Sequence, residues 1–342
     1  MKDFKHFGLR VRKDYDKNYW SLWYNLTTIR LDIGETKPLL AEKSEFYDVG
    51  LGTKCNAKCP FCYVSANNQG EHWTNVVETW NKWINSFSED TAISSDDKVL
   101  QDILGKPTDE ERKDLTTMAV KMLVKENLNN ITVTEKPYQI AIGSTCEPTI
   151  HPEFSNFLEA VYNSKVVPNY TTNGILLSDY DKSQEIIEAT SNFCGGVAVS
   201  YGNKSLRNYA DKAIENLLKY GNCKVMMHHI ISDKDSVDDF IKIAKRYDVH
   251  FHVLLPLMKH GRSAKCMTSD VYPYLAEQIK KNNISNIALG ANFKKFMLEM
   301  PNLFETWEIP EELYSKNILL KDEKVVITPS SFDLNPIKII TV

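Results

Sequence analysis

The chain has 342 residues, of which 42% are hydrophobic and 25% are charged, a composition typical of a globular protein with a large core. A formal net charge of −4 and an isoelectric point near 6.1 exclude bulk attraction to nucleic acid or to an anionic membrane. No segment has the length and apolarity of a membrane span or signal peptide. We therefore expect a cytoplasmic protein, and seven cysteines without a disulfide framework fit a reducing compartment.

The N-terminal segment predicts β-hairpin structure. Residues 19–40 begin with the run YWSLWYNLTTIRLDI, which is rich in aromatic and β-branched residues, and Gly34 marks a turn. We expect residues 1–44 to form an N-terminal β-hairpin extension. A strand, EFYDVGLG at 45–52, then runs into a cysteine-rich loop. The helix expected after this loop, at 74–87, has apolar residues at helical spacing: Val76, Val77, Trp80, Trp83, Ile84 and Phe87.

Residues 88–136 interrupt the pattern, and we interpret them as an insertion or a lid. The second half of this segment predicts a helix, because Thr108 to Glu111 fits a capping box. The apolar face expected for that helix consists of Leu115, Met118, Ala119, Met122 and Leu123.

A regular alternation of strands and helices begins at Tyr138 and predicts a parallel α/β architecture. The strands are expected at 138–143, 166–174, 195–202, 223–231 and 249–257. With the strand at 45–52 they make six strands with helical crossovers, within a core of 45–265. Residues 266–342 are expected to form a C-terminal extension of short strands, with turns at Pro329 and Pro336.

Histidines occur in the last two of these strands. In VHFHVLLPL, Val249 to Leu257, the apolar residues alternate with His250 and His252. If the apolar residues face the covering helices, these histidines lie on the opposite face of the strand. They then line a substrate pocket, or they are buried and hydrogen-bonded to neighbouring polar groups. Of the adjacent His228 and His229, only one can share that orientation.

The loop KCNAKCPFCYV places Cys55, Cys59 and Cys62 at a C-x3-C-x2-C spacing. Thiolates at this density are ligands for zinc, copper(I) or an iron–sulfur cluster. Structural zinc requires four ligands, and His72 is the nearest candidate for the fourth. In a [4Fe–4S] cluster, three cysteines leave one iron without a protein ligand, and that iron is open to chemistry.

This motif, with the aromatic Phe61 before the third cysteine, resembles that of the radical S-adenosylmethionine (SAM) enzymes. The resemblance covers about residues 45–265 and implies a partial (βα)6 TIM-like barrel. It also implies a [4Fe–4S] cluster on the three cysteines, with SAM bound at the open iron. An electron from a reductant protein of the flavodoxin or ferredoxin type then cleaves SAM. The resulting 5′-deoxyadenosyl radical abstracts hydrogen from a substrate.

The resemblance also assigns site residues. Phe61 and Tyr63 of the cysteine loop are expected to contact the cofactor. In GSTCEPT, at 143–149, Glu147 matches the glutamate that receives the SAM amino group, whereas Thr145 and Cys146 replace two glycines of the family motif. Further SAM contacts are expected at three later strand ends, from Thr172 and Asn173 in TTNG, Ser200 in VAVS, and Leu255 with Leu257.

Several alternatives remain open. Instead of a radical SAM enzyme, the protein is a zinc-stabilised binding module, or an iron–sulfur electron carrier that never cleaves SAM.

The site residues also have alternative interpretations. Instead of a SAM ligand, Glu147 is a capping or turn residue before Pro148. Cys146 is an inert small residue, an oxygen gate or a catalytic hydrogen-atom donor. The tail has only Cys266, so an auxiliary cluster is not expected there. The substrate is undetermined, with a peptide or protein side chain favoured over a small molecule.

Overall fold

The computed structural model describes residues 2–14, 19–32, 44–93, 115–300 and 315–342. The chain divides into two compact units, one comprising 46–83 and 139–342, the other comprising 2–45 and 84–138. In the described ranges, no helix has both the length and the apolar character needed to cross a membrane.

Helices and strands alternate through most of the described chain. In chain order the elements are β1 (Leu9–Asp14), β2 (Tyr19–Tyr24), β3 (Thr27–Asp32), β4 (Phe46–Gly50), α1 (Val76–Ile84), β5 (Thr91–Ala92), α2 (Leu115–Glu126), β6 (Ile131–Val133), β7 (Gln139–Ile142), α3 (Phe154–Asn163), β8 (Val167–Thr172), α4 (Tyr180–Phe193), β9 (Gly196–Ser200), α5 (Arg207–Tyr220), β10 (Lys224–Ile231), α6 (Lys234–Ala244), β11 (Phe251–Pro256), α7 (Val271–Asn282), β12 (Ile287–Leu289), α8 (Lys294–Glu299), β13 (Ser315–Lys321), β14 (Lys324–Thr328) and β15 (Lys338–Thr341).

The larger unit contains one sheet, with strand order β12-β11-β10-β9-β8-β7-β4-β13-β14-β15. In this sheet β4, β7, β8, β9, β10, β11 and β12 pair in parallel, and β13 adds to β4 in parallel before β14 and β15 complete an antiparallel edge. All six predicted strands are present, so the predicted parallel α/β architecture is confirmed. Over the described residues the sheet keeps two open edges, and no closed barrel is detected. Strands of the predicted C-terminal extension belong to this same sheet.

Helices cover one face of the parallel strands, because β7 to β12 follow one another in a single direction across the sheet and right-handed crossovers then lie on the same side. On β10 the buried residues alternate with partly exposed ones. Ile231 of β10 and Leu254 of β11 pack with Phe240 of α6 and Leu275 of α7. Since the strands run in parallel, the loops after them meet at one edge of the sheet, where functional residues of such folds usually lie.

The expected orientation of His252 is wrong. His252 is fully buried on the same face of β11 as Leu254, which packs against the helices. The polar ring is tolerated there because it is hydrogen-bonded to His229, which also lies on the helix side. His228 is therefore the member of the adjacent pair on the opposite face.

The smaller unit contains a sheet of order β3-β2-β1-β6-β5. The predicted hairpin is confirmed for β2 and β3, and its turn lies at Asn25 and Leu26, both with positive φ. Gly34 lies outside the described residues. The predicted N-terminal extension and the predicted insertion thus contribute strands to one sheet, while a lid function for 88–136 stays a prediction.

The predicted apolar face of α2 is wrong for two of its members, while Leu123 packs against the buried cluster as predicted. Met118 and Met122 are 44% and 59% exposed, whereas Val120 and Val124 are buried against β1 and β2 residues. Both sets have helical spacing, so periodicity alone cannot choose between them, and the sheet beneath the helix decides. The helix itself is confirmed, and the capping box at 108–111 lies outside the described residues. By contrast α1 buries its predicted face, including Val76, Trp80 and Trp83.

Candidate active site

Four neighbouring strand ends bring the candidate residues together. The cysteine loop follows β4, Glu147 follows β7, Thr172 and Asn173 end β8, and Asn203 follows β9. These strands are adjacent and parallel, so their C-terminal ends lie along one edge. The order predicted from the sequence is therefore also the order in space.

Side-chain amides from two of these strand ends donate to the cysteine sulfurs. Asn173 Nδ2 lies 3.8 Å from Cys55 Sγ, and Asn203 Nδ2 lies 3.4 Å from Cys59 Sγ. The backbone N–H of Ala57 also donates to Cys55 Sγ, at 3.4 Å. Such donors stabilise a thiolate, the form that binds metal.

The thiols interact with one another electrostatically. Burial, with smaller effects from nearby Glu147 and Cys59, raises the pKa of Cys55 to about 11 against the opposing hydrogen bonds from Ala57 and Asn173. Burial likewise raises the pKa of Cys59, with nearby Cys62 acting in the same direction and the Asn203 hydrogen bond opposing it. Without a metal to replace their protons, Cys55 and Cys59 are therefore neutral near pH 7.

Within the described ranges, no group of three or more His, Cys, Asp or Glu side chains is arranged to hold a metal ion. The donor chemistry of the loop nevertheless fits an iron–sulfur cluster, because soft sulfur ligands carry N–H donors of the kind that tune such clusters. The ring of His72, the alternative fourth ligand, packs edge-to-face on His151 with the centroids 5.0 Å apart.

Glu147 is a buried carboxylate at the junction of these strand ends. Its Oε1 accepts from Thr149 N at 3.3 Å, from Thr149 Oγ1 at 2.7 Å and from Thr172 Oγ1 at 2.7 Å. Its Oε2 accepts from Asn173 N at 2.7 Å. Burial raises the pKa of Glu147, and these hydrogen bonds oppose the shift. Glu147 therefore caps the turn Pro148–Ile150, while Oε2 keeps the capacity to accept a further donor.

Thr145 occupies a position where the sequence motif would have glycine, and its side chain is accommodated by the neighbouring strand. The hydroxyl of Thr145 donates to the carbonyl of Gly52 at 2.6 Å. A Cβ at Gly50 of β4 would overlap Thr145 Oγ1. The space that the threonine needs is thus supplied by a glycine on the neighbouring strand.

Cys146 is enclosed in the interior beside this pair. Burial raises the pKa of its thiol to about 12, and the backbone of Leu51 is its hydrogen-bond partner. The thiol is therefore protonated, as a hydrogen-atom donor would also be, and it is the burial of the side chain that fits the inert interpretation.

The two aromatic residues of the loop have different surroundings. Tyr63 donates its hydroxyl to the carbonyl of Ser144 at 2.7 Å and stacks on Phe332. Phe61 lies beside Gly202, where an added Cβ would be 3.2 Å from Phe61 Cζ. Tyr63 thus anchors the loop to the chain before Glu147, and Phe61 faces open space.

That open space is a cavity of about 470 Å³ beside the cysteine loop. Its apolar wall includes Phe61, Ile230 and Leu257, and its polar wall includes His229 and the Arg207–Asp239 ion pair. Ser200 and Leu255 do not line this cavity within the described residues. They are the strand partners of His228 and Ile230 and share the sheet face turned away from the helices.

Sequence reasoning missed Asn203 and the residues that clamp the cysteine loop. Arg262 donates Nε to the carbonyl of Cys59 at 2.8 Å and Nη1 to that of Ala66 at 2.9 Å. Gly261 has a positive φ of 59°, and a Cβ there would overlap the carbonyl oxygens of Cys62 and Tyr63. The Gly-Arg pair indicates only a turn, and no local pattern connects it to cysteines two hundred positions earlier.

Comparison with known proteins identifies a shared fold. No protein-family model and no curated protein matches the chain. Among solved structures, Streptococcus suis SuiB bound to S-adenosylmethionine matches with a TM-score of 0.53 and 12% identity, over 85% of this chain and 61% of SuiB. SuiB bound to its precursor peptide SuiA matches with a TM-score of 0.54 and 13% identity, over 86% and 61%. The chain thus spans about three fifths of the SuiB structures, and the likeness shows the fold.

Proposed function

We propose that this protein is a radical SAM enzyme whose core is a partial (βα)6 barrel and whose Cys55, Cys59 and Cys62 hold a [4Fe–4S] cluster. One observation carries this proposal: N–H and O–H donors from adjacent strand ends converge on two cysteine sulfurs and on the buried Glu147 carboxylate. The fold shared with a SAM-bound protein supports it.

The side chains have separate roles in this proposal. Oε2 of Glu147 accepts the ammonium group of SAM, because a buried carboxylate with a vacant lone pair favours a cation. Thr172 and Asn173 hold that carboxylate in place, and Asn173 also reaches Cys55. When bound, the cluster supplies the electron that cleaves SAM to methionine and a 5′-deoxyadenosyl radical, which abstracts hydrogen from the substrate.

The remaining predicted contacts belong to the same proposal. Phe61, Ser200 and Leu255 contact SAM, while Tyr63 orients the loop that carries the cysteines. A flavodoxin- or ferredoxin-type protein supplies the electron. A peptide is the favoured substrate class, because SuiB has been solved with its precursor peptide and, among the described strands, β3 is an outer strand to which an extended peptide can add.

Anaerobic reconstitution with iron and sulfide tests the proposal. We expect four irons per chain, a spectrum that changes when SAM is added, and 5′-deoxyadenosine when dithionite is supplied. Stoichiometric zinc with no cluster would instead identify a zinc-stabilised module. A cluster whose spectrum ignores SAM would identify an electron carrier.

A further inference from the structure

A buried histidine pair lies at the cavity, and one member, His229, forms part of its wall. His229 Nε2 lies 3.0 Å from His252 Nδ1, and His252 Nε2 lies 3.3 Å from the carbonyl oxygen of Tyr247. Phe240 packs edge-to-face on His229, with the ring centroids 5.1 Å apart. The proposed cluster and SAM contacts involve neither histidine.

The hydrogen bonds fix which nitrogen carries each proton. A carbonyl oxygen only accepts, so His252 Nε2 must carry a proton and donate to Tyr247. In a neutral ring this leaves His252 Nδ1 as an acceptor, so His229 Nε2 must donate to it. The remaining nitrogen, His229 Nδ1, is then an acceptor without a proton.

Burial keeps the pair neutral. It lowers the pKa of His229 well below the ordinary value, and nearby His252 lowers it further. Burial also lowers the pKa of His252, against the opposing effect of the Tyr247 hydrogen bond. Protonating His252 Nδ1 would also place its N–H donor against the Nε2–H donor of His229, at the cost of a buried charge.

The vacant nitrogen belongs to a residue of the cavity wall. His229 lines the cavity together with Phe61 and Leu257, and within the described residues His229 Nδ1 has no hydrogen-bond partner. We propose that His229 Nδ1 is a fixed acceptor for the molecule that fills this cavity, which must present an uncharged N–H or O–H donor beside an apolar or aromatic body.

The ligand assignment rests on the proposed function. Phe61 immediately precedes Cys62, so a SAM molecule bound by its amino-acid end at the cysteine loop has its other end within reach of this cavity. That end is adenine, which has two apolar faces and an uncharged exocyclic amine. We assign the amine as the donor to His229 Nδ1 and the apolar wall as the surface against adenine. His229 is then a specificity residue, and His252 a positioning residue that fixes its tautomer.

The tautomer is testable in the intact protein without any ligand. Histidine-selective 15N labelling, with His229 assigned by the His229→Asn variant, should show a protonated Nε2 and a bare Nδ1 from pH 6 to pH 8. His252→Phe should remove this preference by deleting the acceptor for Nε2. A protonated Nδ1 or a charged ring in the wild-type protein overturns the proposal.

The ligand assignment is tested on the reconstituted protein with S-adenosylhomocysteine and S-inosylhomocysteine, in which a carbonyl oxygen replaces the amine. The wild type should bind the adenosyl compound about tenfold more tightly, because the carbonyl oxygen of the inosyl compound would face His229 Nδ1 and both atoms are hydrogen-bond acceptors. His229→Leu should lose this preference, and His229→Asn, whose carboxamide oxygen can accept, should keep part of it. His250→Leu, at a histidine that immediately precedes β11 and does not line the cavity, should behave as wild type.

The outcomes separate the two proposals. Equal affinity for both compounds in the wild type, or an unchanged preference in a folded His229→Leu variant, overturns this inference while the proposed function stands. Failure of the cluster-loaded wild type to bind S-adenosylhomocysteine or SAM overturns the proposed function, and the ligand assignment with it.

Discussion

The Glu147 junction and the His229–His252 pair are two buried polar sites of the larger unit, separated in the sheet by β8 and β9, and they are built in opposite ways. Glu147 is surrounded by donors from Thr149, Thr172 and Asn173. In the histidine pair, His229 donates to His252, and His252 donates to the backbone carbonyl of Tyr247. The first arrangement stabilises a negative charge, whereas the second excludes charge.

The difference indicates how the two ends of one ligand can be recognised. An ionised carboxylate in a buried site favours a cationic group. A neutral nitrogen with a fixed lone pair favours an uncharged donor and leaves a buried acceptor unsatisfied if that donor is missing. We expect the two sites to respond differently to mutation, to pH and to ligand chemistry.

The largest effect is expected at the cluster ligands. Cys59→Ala removes one of three thiolates, so we expect loss of bound iron and at least a hundredfold loss of 5′-deoxyadenosine formation, measured after anaerobic reconstitution. Cys223→Ala, a cysteine at the start of β10, is the matched control and should keep both. Full iron content in Cys59→Ala would remove this residue from the ligand set.

Glu147→Gln should weaken SAM binding by tenfold or more while the cluster assembles normally. The amide removes the negative charge but keeps the shape, and a hydrogen bond to a charged group contributes about 1.5–3 kcal/mol. Calorimetric titration with SAM measures the loss, with Glu153→Gln as the control. Unchanged affinity in Glu147→Gln would show that the carboxylate only caps its turn.

The two sites should contribute to the pH dependence of stability with opposite sign. His252 has a lowered pKa in the folded protein, so below about pH 6.5 the unfolded chain binds more protons and the free energy of unfolding falls as pH falls. His252→Gln should flatten this dependence by up to about 1.4 kcal/mol per pH unit.

Glu147 has a raised pKa in the folded protein, so its contribution to stability decreases as pH rises above the unfolded value. Glu147→Gln should therefore steepen the rise in stability between pH 5 and pH 6.5. Urea unfolding of cluster-free protein at several pH values measures both slopes. Parallel curves for the two variants would contradict the comparison.

A smaller effect is expected at the loop clamp. Arg262→Lys keeps the charge but cannot donate to the carbonyls of both Cys59 and Ala66. We expect several-fold faster loss of iron to a chelator, followed by absorbance, with Arg246→Lys as an exposed control. An unchanged rate would mean that Gly261 and the rest of the loop suffice to hold the cysteines.

The smallest effect is expected at Cys146. Because its thiol is buried and behaves as a small apolar group, Cys146→Ala should leave SAM cleavage within about twofold of wild type. It should also leave deuterium incorporation from deuterium oxide unchanged. Loss of solvent deuterium in the product of Cys146→Ala would restore the hydrogen-donor alternative.

The sequence by itself determined the parallel α/β architecture, the six core strands, helix α1 and the cysteine spacing. These features are local, because periodicity and ligand spacing are properties of a few consecutive residues. The order of candidate sites also followed, since successive parallel strands place their ends side by side.

Tertiary structure decided what depends on partners distant in the chain. The buried face of α2 depends on β1 and β2, and the orientation of His252 depends on His229 in the neighbouring strand. Thr145 fits because residue 50 is a glycine, and Arg262 holds a loop about two hundred residues before it. A periodic pattern shows which residues share one face of a helix or strand. Only the neighbour packed against that face determines whether it is buried and whether a polar residue on it finds a hydrogen-bond partner.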